Sequence, residues 1–227
     1  MSFFLKKSIL MLKLITFLML SGCSQKFEDT FSTINTSING YLDVDLSDSQ
    51  LEKLQYDSVY VKINNGKQIL MILALIENNK ETGQEQLKWV SADKVMLITE
   101  NGRIVKTLGL NHNLVDLRKE NSSLASPPNT LRENSFIYSW MPDYRYNFRA
   151  ISHISHIKNE ILHLSDWSVS TQYTIESIKF DSFKNHSFEN RYWRNEANRT
   201  VKTIQYIGPN MDKIEMHFIK RFVESKS

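Results

Sequence analysis

The chain has 227 residues, 28 Lys and Arg against 25 Asp and Glu, and a single cysteine. Lys6, Lys7 and Lys13 fall in the first 22 residues, which hold no acid, so the remaining body carries 25 charges of each sign. A neutral body lacks the broad basic footprint of nucleic-acid binding, so no nucleic-acid partner is expected, and its length suffices for one sizeable core or two small ones.

The first element is a leader. Residues 14–20 (LITFLML) form an apolar region seven residues long behind the lysines. Secretory signals have apolar regions of roughly 7–15 residues, whereas a membrane-spanning helix needs about 20. Leu20-Ser21-Gly22-Cys23 follows and matches a lipobox: small residues before the cysteine admit a peptidase, and the thiol receives a diacylglyceryl group. Residues 1–22 are therefore expected to be a lipoprotein signal peptide, and Cys23 the acylated mature N-terminus, labelled by palmitate. Two or more acyl chains hold a protein stably, each buried methylene adding about 0.8 kcal/mol. Residue 24 is Ser, not the Asp that retains lipoproteins at the inner membrane of enteric-type bacteria. The expected location is the outer membrane, with the body facing the periplasm. Acylation of Cys23, the single cysteine, leaves none for a disulfide, so the core alone must hold the fold.

Residues 23–40 read as tether and short helix. Phe27, Phe31, Ile34 and Ile38 recur at helical spacing and Asn39-Gly40 is a stop signal. Its polar face (Glu28, Asp29, Thr30) lacks the Lys and Arg of interfacial helices, so it is expected to pack on the domain. Ser47-Asp48-Ser49-Gln50 resembles a capping box for a second short helix reaching Leu54.

Residues 41–227 are expected to form one mainly β domain, a strongly curved antiparallel sheet, barrel-like or sandwich-like. Residues 59–63 are β-rich and Asn64-Asn65-Gly66 is a turn. Residues 68–77 (QILMILALIE) form a nearly continuous apolar run, as in a strand buried on both faces. Strands are expected at 85–90, 95–99 and 103–108, with Asn101-Gly102 as a tight hairpin turn between the last two. Residues 122–130 are the least structured stretch. Further strands are expected at 144–151, 161–169, 173–180, 188–194, 200–207 and 214–222.

Three of these stretches carry a family resemblance. Residues 88–114 (KWVSADKVMLITENGRIVKTLGLNHNL), 54–77 (LQYDSVYVKINNGKQILMILALIE) and 204–220 (IQYIGPNMDKIEMHFIK) resemble segments of the GfcB/YjbF family of group 4 capsule and exopolysaccharide lipoproteins. The resemblance implies an outer-membrane lipoprotein encoded with surface-polysaccharide export genes, with a curved antiparallel β fold. Its implied partners are the outer membrane, exopolysaccharide and other export proteins. It implies no catalytic residue and no cofactor.

Motifs of chemistry are sparse. Seven glycines leave no Gly-x-Ser-x-Gly elbow and no phosphate-binding Gly-Lys-Ser/Thr loop. Asp43, Asp45 and Ser47 begin like a calcium loop, but Asp48 stands where the glycine belongs and Leu54 where the bidentate Glu belongs. His153, His156, Glu160 and His163 would share one face of a helix and could hold zinc, with Ile151, Ile154, Ile157, Ile161 and Leu164 as the buried stripe. As strands, His153 and His156 would point apart, and no metal is expected. Trp140, Tyr144, Tyr146, Trp167, Tyr173, Tyr192 and Trp193 are many aromatics for one domain. Pro142 places residues 140–144 near a loop, so Trp140 and Tyr144 are the expected exposed contacts for a glycan or a partner. Two functions remain open: a non-enzymatic accessory factor of capsule or exopolysaccharide assembly or export, and a periplasmic polysaccharide-modifying hydrolase built on paired carboxylates.

Overall fold

The computed structural model describes residues 44–120, 133–163, 168–182 and 187–220. All of them belong to the unit Asp43–Ser227. The leader, Cys23, the helix expected before residue 40, the stretch 122–130 and Trp167 lie outside the described residues.

The first element among the described residues is α1 (Asp48–Lys53), capped as its sequence requires. Gln50 Oε1 accepts the backbone N–H of Ser47 at 2.9 Å, which satisfies one donor at the helix start. Among the described residues twelve strands follow: β1 (Ser58–Ile63), β2 (Ile69–Asn78), β3 (Glu85–Ser91), β4 (Met96–Glu100), β5 (Arg103–Leu108), β6 (Asn113–Lys119), β7 (Glu133–Met141), β8 (Arg145–His163), β9 (Ser168–Phe180), β10 (Ser187–Asn195), β11 (Thr200–Tyr206) and β12 (Lys213–Lys220). They form one antiparallel sheet in the order β5-β4-β3-β2-β1-β12-β11-β10-β9-β8-β7-β6. Each strand pairs with its sequence neighbours except at β5 and β6, which are the two edges, and the first and last strands meet when β1 pairs with β12. Of the two architectures left open by the sequence, the sheet takes the barrel: it curls until β5 and β6, its edges, face each other.

Local chemistry explains the turns. Glu100 pairs with Arg103 across a two-residue loop, and Asn101 and Gly102 both take positive φ, 48° and 81°. That is the hairpin geometry whose twist matches paired strands. Glycine is required at 102 for space as well, because a Cβ there would lie 2.4 Å from Thr200 Oγ1. Asn64 and Asn65 likewise turn with positive φ, 51° and 61°.

Several expectations are corrected. The apolar run of β2 is buried only over Leu70, Met71 and Ile72; past a bulge between Leu73 and Leu75, Leu75 and Ile76 are 47% and 52% exposed. Hydrophobicity alone did not show that the strand runs beyond its covering layer. Residues 161–169 are not one strand: His163 pairs with Ser168, so the chain reverses between them. The helix that would gather His153, Glu160 and His163 does not form, because all lie in β8. Ten residues of strand separate His153 from His163 by about 30 Å, and Ile157 and Ile161, the supposed buried stripe, are more than half exposed.

The interior has an apolar part and a polar part. Val59, Val61, Met71, Trp89, Leu97, Ile178, Ile214 and Met216 are buried together, each contributing roughly 1.5–3 kcal/mol over exposure to water. Trp140, Tyr138 and Phe180 form an aromatic cluster within it, with ring centroids 5.1–5.5 Å apart.

Between β5 and β6 side chains replace the ladder. Thr107 Oγ1 accepts the backbone N–H of Leu114 at 2.9 Å. The Asn113 amide folds back on Leu110, donating to its carbonyl at 2.8 Å and accepting its N–H at 3.2 Å.

Candidate functional site

Away from those hydrogen bonds the seam between β5 and β6 opens into a cleft of about 510 Å³, walled by β5 on one side and β6 on the other. Arg103, the first residue after the Asn101-Gly102 turn, reaches from its edge strand into the barrel. Its Nη2 donates to both carboxylate oxygens of Glu176, each at 2.7 Å. Glu176 faces inward because β9 alternates, with Thr174, Ile178 and Phe180 on the same buried side. Ser152 Oγ donates to the same carboxylate. The Tyr192 hydroxyl lies 3.2 Å from Glu176 Oε2 and 3.3 Å from Gln205 Oε1, and its one proton serves either. Gln205 then completes the edge of β5 from across the interior: its Oε1 accepts the Ile104 N–H at 3.0 Å and its Nε2 donates to the Gly102 carbonyl at 2.8 Å.

The charges in this cluster are fixed by their neighbours. Burial opposes the charge of Glu176, but Arg103 together with the Ser152 and Tyr192 hydrogen bonds outweighs it and holds the carboxyl below its ordinary range. Burial likewise opposes the charge of Arg103, and Glu176 with the neighbouring Tyr192 and Tyr138 more than offsets it, so the net shift is upward. Burial pushes the Tyr138 and Tyr192 phenols up, which keeps them neutral donors. A carboxylate held ionised and saturated with donors suits an ion pair, and not a group that must lend and recover a proton. The Arg103 guanidinium also lies over the rings of Phe136 and Tyr192, at 4.6 and 5.5 Å. Arg194, near the end of β10, lies over the same Tyr192 ring, 5.1 Å from its centroid.

The sequence-predicted contacts fall elsewhere and do not come together as expected. Trp140 is fully buried and its indole N–H donates to the Ile207 carbonyl at 2.6 Å, which corrects its assignment to an exposed set. Pro142 does mark a turn, but the side chain of residue 140 points into the barrel, beside Tyr138. Tyr144 stands in solvent at 73% exposure, with Tyr146 beside it at a centroid distance of 6.4 Å. Cys23 lies outside the described residues. The Arg103–Glu176 cluster was not anticipated, since its members are 73 residues apart. A signal was present: the residues at 174, 176, 178 and 180 alternate inward along a strand that was expected, and a carboxylate at such a position demands a cation.

Residues 31–219 match the family described as group 4 capsule polysaccharide lipoprotein gfcB, YjbF. The chain is 27% identical over 208 residues to the lipoprotein GfcB of Escherichia coli (strain K12), covering 89% of this chain and 94% of that one. It is 24% identical over 207 residues to the lipoprotein YjbF of the same organism, covering 89% and 93%. The crystal structure of the hypothetical lipoprotein YmcC from Escherichia coli (K12) has the same fold, with a TM-score of 0.68 at 25% identity, over 88% of this chain and 98% of that chain.

Proposed function

The chain belongs to the family of group 4 capsule polysaccharide lipoproteins, and from that premise we propose that it is an outer-membrane lipoprotein acting as a non-enzymatic accessory factor in capsule or exopolysaccharide assembly or export. The observation that carries this reading is the family match, which runs through the whole barrel from residue 31 to 219. Two features of the chain agree with it. Leu20-Ser21-Gly22-Cys23 supplies an acylation site ahead of the barrel, and Ser24 lacks the retention signal of the inner membrane. The buried carboxylate Glu176 is neutralised by Arg103 and bound by two hydroxyls, an arrangement that stabilises a scaffold. In this role Cys23 anchors the protein to the lipid, and exposed Tyr144 is a contact for a partner or a glycan.

The test is deletion and rescue. Loss of the protein is expected to reduce surface polysaccharide while precursor synthesis continues. Wild-type protein restores it, and Cys23→Ala, which takes up no palmitate, does not. Purified protein incubated with its polymer should leave chain length and reducing ends unchanged. Turnover abolished by replacing one Asp or Glu would establish the hydrolase instead.

A further inference from the structure

We propose that the open seam between β5 and β6 binds a carboxylate-bearing sugar residue, whose acid group is taken by Arg194 beside Arg103 on the floor of the cleft. Charge matching is the first argument. The floor holds two guanidinium groups and one carboxylate, and Glu176 is already committed to Arg103, Ser152 and Tyr192. Arg103 Nη1 is buried and finds no acceptor among the described residues. Arg194 makes no ion pair and no side-chain hydrogen bond among the described residues; its contact is the Tyr192 ring. A half-buried cation without a counter-charge is costly unless an anion or water completes it. The titration of Arg194 agrees: burial lowers its pKa, and repulsion from Arg103 adds to the shift, against the attraction of Tyr192 and Glu176. The charge of a bound anion would offset both contributions.

Shape and lining are the second argument. The cleft of about 510 Å³ is within the roughly 300–1,000 Å³ of small-ligand sites. Five cationic side chains line it against three acidic ones, Glu81, Glu100 and Asp116, so its sign is positive although the protein body is neutral. Gln84, Asn101 and Asn134 add side-chain amides around it, and amides both donate to and accept from sugar hydroxyls. A planar guanidinium matches a carboxylate in fork geometry. The choice of an anion rests on this geometry alone. The choice of a sugar as its carrier rests on the capsule reading above.

The full-length lipoprotein, purified in detergent, is titrated calorimetrically at low ionic strength with trigalacturonate, with the neutral trimer galactotriose, and with inorganic phosphate. Trigalacturonate is expected to bind, with galactotriose at least ten-fold weaker. Arg194→Gln should weaken trigalacturonate at least ten-fold, and Arg194→Lys, which keeps the charge, should recover part of the loss; near-ultraviolet circular dichroism verifies the fold of both variants. No binding of trigalacturonate, equal binding of galactotriose, or equal binding by a folded Arg194→Gln protein overturns the proposal. Binding of phosphate without trigalacturonate overturns the sugar assignment. Loss of capsule on deletion together with absence of binding sinks the cleft and spares the capsule reading. Binding together with an unchanged capsule does the reverse.

Discussion

Two junctions interrupt the hairpin-by-hairpin order of the barrel, β1 with β12 and β5 with β6, and they are made of different material. Between β1 and β12 the closure is backbone: Val59 to Ile63 run in register against Phe218 to Ile214. Val59, Val61, Ile214 and Met216 behind it are wholly buried. Between β5 and β6 the closure is a hydroxyl and an amide near one end, Thr107 and Asn113, and a cleft at the other. A ladder satisfies every backbone group along its length and so seals an apolar interior. A side-chain join satisfies only the groups it reaches. The interior beside it must then carry polar side chains, here Arg103 and Gln205, to serve the rest. The weaker join is where the barrel can meet a ligand.

Three changes test this contrast. The largest effect is expected behind the open join. Glu176→Ala leaves the Arg103 cation without its partner in the interior, and unfolding in urea should show a loss of about 3 kcal/mol or more. A loss well below 1 kcal/mol would mean that water entering the seam solvates Arg103, so that this part of the interior behaves as surface. Thr107→Val acts on the join itself. It removes the acceptor of the buried Leu114 N–H without changing volume, and about 1–2 kcal/mol should be lost. Hydrogen exchange at Leu114 should quicken while the Val61 amide, in the β1–β12 half, stays protected; equal acceleration of both would show that the joins open as one.

The smallest effect belongs to the ladder join and is read by pH. His217 in β12 has its pKa pushed down to about 4, by burial first and then by Lys202 and Lys62, against the pull of Glu215. Its ordinary value is about 6.5, so between pH 4 and 6.5 the unfolded chain binds the extra proton. Stability therefore rises with pH through that window and falls as pH drops toward 4. The partly exposed ring makes the contribution on the order of 1 kcal/mol. Glu215, held below its ordinary range by Lys202 against the opposing effect of burial, adds a further loss at the acid end. His217→Gln should flatten the slope above pH 5; an unchanged slope there would show that His217 does not carry it.

Much of the ladder was legible because its signals are local. Asn-Gly at 101–102 fixes a two-residue turn, and the β-rich run that became β1 and the alternation of β9 need only their own residues to be read. β6 and β7 were missed. Asn113-Leu114-Val115-Asp116 mixes polar and apolar residues around a bulge between Leu114 and Asp116 that breaks the period of two. β8 was read as two pieces because its 19 residues include histidines, lysine and Asn159, with another bulge between Ile154 and His156. Trp140 shows a different limit. Proline locates a turn in the backbone, but the face taken by a side chain two positions earlier depends on strand register, and a bulge between Tyr138 and Trp140 resets it. The Arg103 cluster depends on strands β5, β8, β9, β10 and β11 meeting in space, which no window of the sequence contains.

The strand order has a consequence for how the chain could be cut. Ser58 at the start of β1 lies opposite Lys220 at the end of β12, so a short linker could join those strands. New termini opened between Leu108 and Asn113 would break no strand pairing, because β5 and β6 share no ladder. The permuted chain would then run from β6 through β12 and β1 to β5 with every strand beside its predecessor, a plain meander whose first and last strands flank the cleft.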